Sequence, residues 1–98
     1  MKTMRELSEL AVKAWGVPSL LNQTEEECLE LALACRHYQR RHHKKTAYER
    51  RNDLIKEVAD VAIMLDQMRV MFGDQEIDNA IKEKLLRLED KIVKALEP

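Results

Sequence analysis

The feature that most limits how this chain can fold is the scarcity of residues that interrupt a helix. Within the 98 residues, only Gly16, Pro18 and Gly73 are helix breakers, and the one other proline is residue 98. Between the breakers, apolar residues repeat at spacings of three and four, which is typical of packed helices. A composition with 36% charged and 45% hydrophobic residues agrees with this pattern. The sequence therefore predicts an all-α protein with a single domain, residues 1–98.

Two helices are predicted in the first half of the chain. The first ends at Gly16 and Pro18, because glycine commonly caps a helix and proline cannot continue one. The second begins between Ser19 and Thr24 and ends where the basic segment 36–45 removes its apolar face. Two further helices complete a predicted four-helix bundle.

The boundaries of the third and fourth helices follow from local capping signals. Thr46 and Glu49 form a capping box for the third helix, which continues until Gly73. Asp74 is expected to cap the fourth helix.

The third helix is apolar on almost every side. Its apolar residues are Leu54, Ile55, Val58, Ala59, Val61, Ala62, Ile63, Met64, Leu65, Met68 and Met71. A helix of this kind is usually buried on more than one side. Since the chain is small, we expect a second subunit to supply the extra burial, in a homodimer or homotetramer.

Cellular location follows from the cysteines and from the absence of long apolar runs. Cys28 and Cys35 are separated by a rise of about 10 Å on one helix, which is too far for a disulfide and predicts reduced thiols. No run approaches the roughly 18 apolar residues that span a bilayer, and the first residues lack the apolar stretch that is typical of a signal peptide. We expect a cytoplasmic protein without a membrane partner. The net charge of −1 gives no general reason to bind nucleic acid.

Two acidic pairs at helical spacing carry the functional signal. Glu27 and Glu30 lie on one predicted helix, and Glu57 and Asp60 on the next. Residues three apart share a helix face, so the pairs would face each other if the two helices pack antiparallel. Carboxylates without histidine or thiolate partners favour Mg²⁺, with Mn²⁺ as the alternative.

Other interpretations of the acidic residues and their neighbours are weaker. Glu25 to Glu27 fit a first helical turn that favours negative charge, but Glu30, Glu57 and Asp60 lie beyond such turns. A di-iron carboxylate bundle would need Glu-x-x-His motifs, which are absent. The histidines and cysteines near residues 35–43 fit no zinc pattern.

Helix four carries the opposite charge. Lys84 projects from the middle of its apolar stripe, and Arg87 lies along one edge. A lysine there either snorkels to solvent or faces the acidic site, where it would bind phosphate oxygens.

Four stretches of this sequence together resemble the MazG-like all-α nucleoside triphosphate pyrophosphohydrolases. They are residues 14–16 (Ala-Trp-Gly), 26–31 (Glu-Glu-Cys-Leu-Glu-Leu), 57–65 (Glu-Val-Ala-Asp-Val-Ala-Ile-Met-Leu) and 84–88 (Lys-Leu-Leu-Arg-Leu). The order and spacing of Glu-Glu-x-x-Glu and Glu-x-x-Asp are specific only in combination. Many relatives have Gln-Leu after the Trp-Gly step, whereas this chain has Leu20-Leu21 and places Gln23 later.

The resemblance implies an enzyme that cleaves nucleoside triphosphates between the α and β phosphates, with Mg²⁺ bound to the acidic signature. It implies these roles by position: metal ligands at Glu27, Glu30, Glu57 and Asp60; catalysis by Glu26, Glu27 and Glu57; phosphate contacts at Lys84 and Arg87; nucleotide contacts at Trp15, Gln23 and Asn79, with Lys82 nearby. Dimers or higher assemblies are typical of such relatives.

Two other functions fit the same sequence. In the first, the chain is a helical interaction module whose basic segment 36–45 binds nucleic acid or an acidic partner, although nucleic acid is the less expected partner. In the second, the chain is a catalytically idle family member that serves as a structural partner. The presence of all four acidic residues argues against a catalytically inactive protein.

Overall fold

The computed structural model describes residues 1–98 and confirms an all-α protein without strands. Three helical elements follow one another: α1 (Met4–Gln39), α2 (Ala47–Phe72) and α3 (Asp74–Leu96). None of these helices is long and apolar enough to cross a bilayer. Cys28 and Cys35 are free thiols on the exposed surface of α1.

The predicted boundary at Gly16 is a kink within α1, not a connecting loop. Gly16 has φ 81° and ψ 165°, a left-handed backbone that disfavours any residue with a Cβ. Helical backbone resumes directly after it, so the expected start between Ser19 and Thr24 was too late. Pro18 falls in the first turn after the kink. Backbone N–H groups in a first turn have no acceptor within the helix, so the N–H that proline lacks costs no hydrogen bond.

Local capping explains the ends of α2, but the start of α3 differs from the prediction. The capping box of Thr46 and Glu49 is present, and Gly73 is the C-cap residue. Asp74 does not cap α3, because Gly73 occupies the N-cap position and no side chain makes a capping hydrogen bond. The Asp74 carboxylate instead accepts hydrogen bonds from Arg5 and Arg69.

The core lies between α1 and α2, which pack antiparallel. Residues early in α1 contact residues late in α2, and the connection at residues 40–46 joins the opposite ends. The buried side chains of α1 are mostly small: Ser8, Ala11, Leu20, Thr24 and Ala34. Small side chains allow close approach of the two helices, so polar groups that point into this interface meet each other at short range.

α3 adds almost nothing to that core. It has no buried residue, and none of its Cα atoms lies within 8 Å of a Cα atom of α1. The radius of gyration of 17.0 Å exceeds the value of about 13 Å for a compact chain of this length. Most of the apolar surface of the third predicted helix is exposed, including Ile55, Val58 and Leu65.

An ion-pair network fastens the part of α1 before the kink to the end of α2. The buried Asp66 carboxylate accepts hydrogen bonds from Arg5 Nη2 at 2.9 Å and from Ser8 Oγ at 2.6 Å. Ser8 is only 1% exposed, so its hydroxyl has no access to bulk water. Arg5 also bridges to Asp74, which Arg69 contacts in turn.

The network should make stability depend on pH in a defined direction. The guanidinium of Arg5, followed by that of Arg69, lowers the pKa of Asp74 from 3.8 to about 2. A carboxylate with a lowered folded-state pKa stabilises the fold above its unfolded pKa, and this contribution disappears as the pH falls through the folded pKa. In urea unfolding, the stability difference between wild type and Asp74→Asn should therefore be constant above about pH 5 and should shrink between about pH 4 and pH 2. A difference that does not change with pH would show that Asp74 does not act through its charge.

Candidate metal centre

Three predicted metal-binding carboxylates meet at the α1–α2 interface. One carboxylate oxygen from each of Glu27, Glu57 and Asp60 lies within 4.8 Å of the other two. Glu27 comes from α1, and the other two lie one turn apart on α2. The antiparallel packing thus brings together side chains that are about thirty residues apart in the sequence.

Two oxygens of this cluster are buried and have no partner. Glu27 Oε2 and Glu57 Oε2 are shielded from solvent, and neither accepts a hydrogen bond. The other oxygen of Glu27 accepts a hydrogen bond from Gln23 Nε2 at 2.8 Å, which fixes the orientation of the carboxylate. Leaving a buried charged acceptor unsatisfied is costly, so the arrangement favours a bound cation.

No basic side chain neutralises the cluster. The ion pairs of the structure involve other acids, namely Asp53, Asp66, Asp74, Asp78 and Asp90. Glu30 lies beside the cluster, where the negative charge of Glu27 and then that of Glu57 raise the pKa of its carboxyl group. This raised pKa indicates that negative charge accumulates here.

The donor set suits a hard divalent cation. Mg²⁺ binds oxygen at about 2.1 Å with octahedral geometry, so opposite ligand oxygens are about 4.2 Å apart. Neighbouring ligand oxygens are about 3 Å apart, so the three carboxylate oxygens, now within 4.8 Å of one another, would approach each other by side-chain rotation when they hold the ion. Glu27, Glu57 and Asp60 would hold the ion, whereas Glu30, which the sequence also predicted as a ligand, is not among the carboxylates within 4.8 Å of one another.

The cluster lies between two clefts. The first, here called the Trp15 cleft, has a volume of about 320 Å³. Its lining residues are Trp15, Ser19, Leu20, Gln23, Met64 and Gln67. Trp15 is 66% exposed and presents its indole to the opening. Gln67 is buried, and its side-chain carbonyl oxygen Oε1 has no hydrogen-bond partner.

The second cleft, here called the Arg50 cleft, lies on the other side of the carboxylates and has a volume of about 360 Å³. Its acidic residues are Glu30, Asp53 and Glu57, and Asp53 is paired with Lys45 at 2.7 Å. Its basic side chains are His37, His43, Lys45, Arg50 and Lys56. The carboxylate cluster therefore has an exposed indole on one side and a cleft of mixed charge, which contains Arg50, on the other.

Several predicted residues are not part of this arrangement within one chain. Glu26 is exposed and outside the carboxylate cluster. Lys84, Arg87 and Asn79 are exposed on α3, form no ion pair in the chain and line neither cleft. The structure thus does not bring the predicted phosphate contacts to the acidic residues of the same chain.

The sequence patterns did not single out Arg50 or Gln67. Arg50 was only one of many basic residues near segment 36–45. Gln67 follows Asp66 inside a helix that is otherwise apolar, and two adjacent polar residues in such a helix are a signal of a specific polar contact.

Protein-family models, curated proteins and solved structures give no match to this chain.

Proposed function

We propose that this protein is a Mg²⁺-dependent nucleoside triphosphate pyrophosphohydrolase of the MazG-like type, which converts a ribo- or deoxyribonucleoside triphosphate to the monophosphate and pyrophosphate. Mn²⁺ is the alternative metal. The helical parts 4–15 and 17–39 of α1, with α2 and α3, correspond in this proposal to the four helices of such a bundle.

The carboxylate cluster with its two unpartnered buried oxygens supports this proposal most strongly. Glu27 and Glu57 are half-buried and Asp60 is exposed, but the shielded Oε2 atoms of the two glutamates lower stability unless a cation is bound, so their presence suggests a function. The cluster lies between the Trp15 cleft and the cleft that contains Arg50 and Lys56, and this matches the order of base, scissile phosphate and terminal phosphates in a nucleoside triphosphate.

Hydrolysis would take place beside the cluster. Mg²⁺, when bound there, would polarise the phosphoryl oxygens and lower the pKa of a coordinated water. Glu27 and Glu57 would hold their carboxylates in fixed positions, Glu27 through its hydrogen bond from Gln23. Glu30 lies beside the cluster, and its carboxylate would accept a proton from the attacking water.

The Trp15 cleft would receive the nucleobase. An exposed indole offers a stacking face that accepts any base. The unpartnered Oε1 of Gln67 would accept an N–H from the base edge, which favours a base with an amino or imino group at that position.

The experiment that tests this function is release of pyrophosphate from a panel of ribo- and deoxyribonucleoside triphosphates, each with Mg²⁺, Mn²⁺ or EDTA. Metal-dependent pyrophosphate release, with no orthophosphate, is the expected result. Absence of release from every nucleotide by the folded protein would reject the proposal. In that case, binding of the basic segment 36–45 to nucleic acid would be measured next.

We also propose that the active form is a homo-oligomer, at least a dimer. The accessible surface is 8161 Å², whereas a compact monomer of 11.5 kDa exposes about 5,800 Å². The excess is about 2,400 Å² per chain. Summed over two chains, this area is as large as the total area that an obligate dimer interface buries. The apolar stripe of α3 would take part. Its members are Ile77, Ile81, Leu85, Leu88 and Ile92.

A charge on that stripe should dissociate the oligomer. Leu88→Glu places a carboxylate in the stripe, and its subunit affinity should fall by at least about tenfold, because a buried unpaired charge is costly. Leu86→Glu is the matched control, because Leu86 faces the opposite side of α3 from Leu88. Leu86 is 65% exposed, whereas Leu88 is 49% exposed. Sedimentation velocity over a concentration series measures the effect. A monomeric wild-type protein, or equal effects of both variants, would contradict the proposal.

A further inference from the structure

The guanidinium of Arg50 is a buried cation without an acidic partner. Arg50 is 9% exposed and forms no ion pair. Its Nη1 donates to the backbone oxygen of Lys45, and its Nη2 donates to that of Arg40 at 3.3 Å. Its Nε is buried and has no hydrogen-bond partner. A charge removed from water and left unpaired destabilises the fold unless an anion compensates it.

The surroundings of Arg50 supply further donors for an anion. Lys56 also lines the cleft, and the rings of His37 and His43 are 4.8 Å apart between centroids. Nδ1 of His43 accepts the backbone N–H of Lys45 at 3.1 Å, so the proton of the neutral ring is on Nε2 and is available to a ligand. Burial, followed by the charge of His37, lowers the pKa of His43 and favours this neutral form.

The position of Arg50 restricts what anion it would bind. It lies in the first turns of α2, where the helix dipole adds partial positive charge. The same cleft contains Glu30 and Glu57 at its other side, so an anion at Arg50 would be adjacent to the proposed metal. A small, doubly charged anion that also ligates a divalent cation could contact both Arg50 and the metal.

We propose that Arg50, with Lys56 and His43, forms a binding subsite for the phosphate groups that leave as pyrophosphate. Within one chain, this subsite would have the role that the family resemblance implied for Lys84 and Arg87. The inference rests on the proposed function for the identity of its ligand, but the anion site is testable without turnover.

The test is calorimetric titration of the full-length protein with inorganic pyrophosphate in EDTA and again with Mg²⁺. Arg50→Gln should weaken pyrophosphate binding by about tenfold or more in EDTA, because a charge-assisted contact is lost. Lys56→Gln, which removes no protein contact, should weaken it by a smaller factor of about three. Arg51→Gln is the matched control, since Arg51 is the exposed neighbour on the same helix and lines neither cleft.

The outcomes separate this inference from the proposed function. Pyrophosphate binding that weakens in Arg50→Gln and Lys56→Gln, but not in Arg51→Gln, supports the subsite even if no nucleotide is hydrolysed. If nucleotides are hydrolysed but both cleft variants bind pyrophosphate and substrate as wild type does, the subsite is rejected while the function stands. If circular dichroism shows that Arg50→Gln is unfolded, the Lys56→Gln arm decides. Competition by a single-stranded DNA oligonucleotide stronger than that by pyrophosphate would also overturn the proposal.

Discussion

Glu57→Gln should lower metal-dependent pyrophosphate release by at least about a hundredfold, because even outer-shell residues of a metal site contribute factors of 10 to 100. Glutamine keeps the shape of the side chain but removes the charge from the buried, unpartnered Oε2. The measurement is the initial rate of pyrophosphate release at saturating Mg²⁺, with the best substrate of the nucleotide panel.

The same variant should lose activity but gain thermal stability in the absence of metal. In the absence of metal, Glu57→Gln should melt at a higher temperature than wild type, since it relieves repulsion with Glu27 and Asp60. Mg²⁺ should raise the melting temperature of wild type by binding the folded state, and this increase should be much smaller in the variant.

The control for Glu57 is Glu9→Gln, the same chemical change at an exposed position of α1. It should leave the rate and the response to Mg²⁺ unchanged. If Glu57→Gln keeps metal-dependent activity, Glu57 does not take part in the reaction. If Glu57→Gln melts at a lower temperature than wild type both with and without Mg²⁺, the Glu57 carboxylate has a structural role.

Asp66→Ala should destabilise the fold by about 2 kcal/mol, because it removes hydrogen bonds to a charged acceptor. The Asp66 side chain is 10% exposed and accepts hydrogen bonds from Arg5 and Ser8. Its loss leaves the buried Ser8 hydroxyl without a partner. At one fixed protein concentration, the melting temperature should fall by roughly 10 °C.

Asp90→Ala is the matched control for Asp66, with the same substitution in a helix. Asp90 pairs with Lys94 at 3.0 Å, but both side chains are about two-thirds exposed, at 65% and 70%. Exposed pairs of this kind contribute little, and alanine favours the helix. Asp90→Ala should therefore be close to wild type in stability. Equal losses in the two variants would show that burial of Asp66 does not matter.

The agreement between sequence and structure is best where a signal is local. The capping box of Thr46 and Glu49 and the stop at Gly73 involve residues within one turn of each other, so their geometry is set by the nearby sequence. The break at Gly16 was also located correctly, but its form was not. A glycine followed by a proline predicts an interruption, and only the path of the whole chain decides whether a loop or a sharp kink results.

Residues whose partners are distant in the sequence agree less well. Asp74 was predicted to cap a helix locally, but its carboxylate binds Arg5 from the opposite end of the chain. One of the two interpretations of Lys84 placed it toward the acidic site, which requires the last helix to pack across the others. In one chain, α3 contacts α1 only through the Asp74 side chain at its first residue, and no Cα atoms of the two helices lie within 8 Å, so that requirement is not met.

The sequence by itself determined that the chain is helical, where α2 begins and ends, and that two acidic pairs each share a helix face. These properties depend on backbone propensities, capping and periodicity, which act within a few residues. Only the tertiary structure decided that Glu27 meets Glu57 and Asp60, that Asp66 anchors α1, and that Arg50 is buried without an acid. Those features depend on the register of two antiparallel helices. That register is set by the packing of small side chains such as Ser8 and Ala11 against α2, which no short-range pattern encodes.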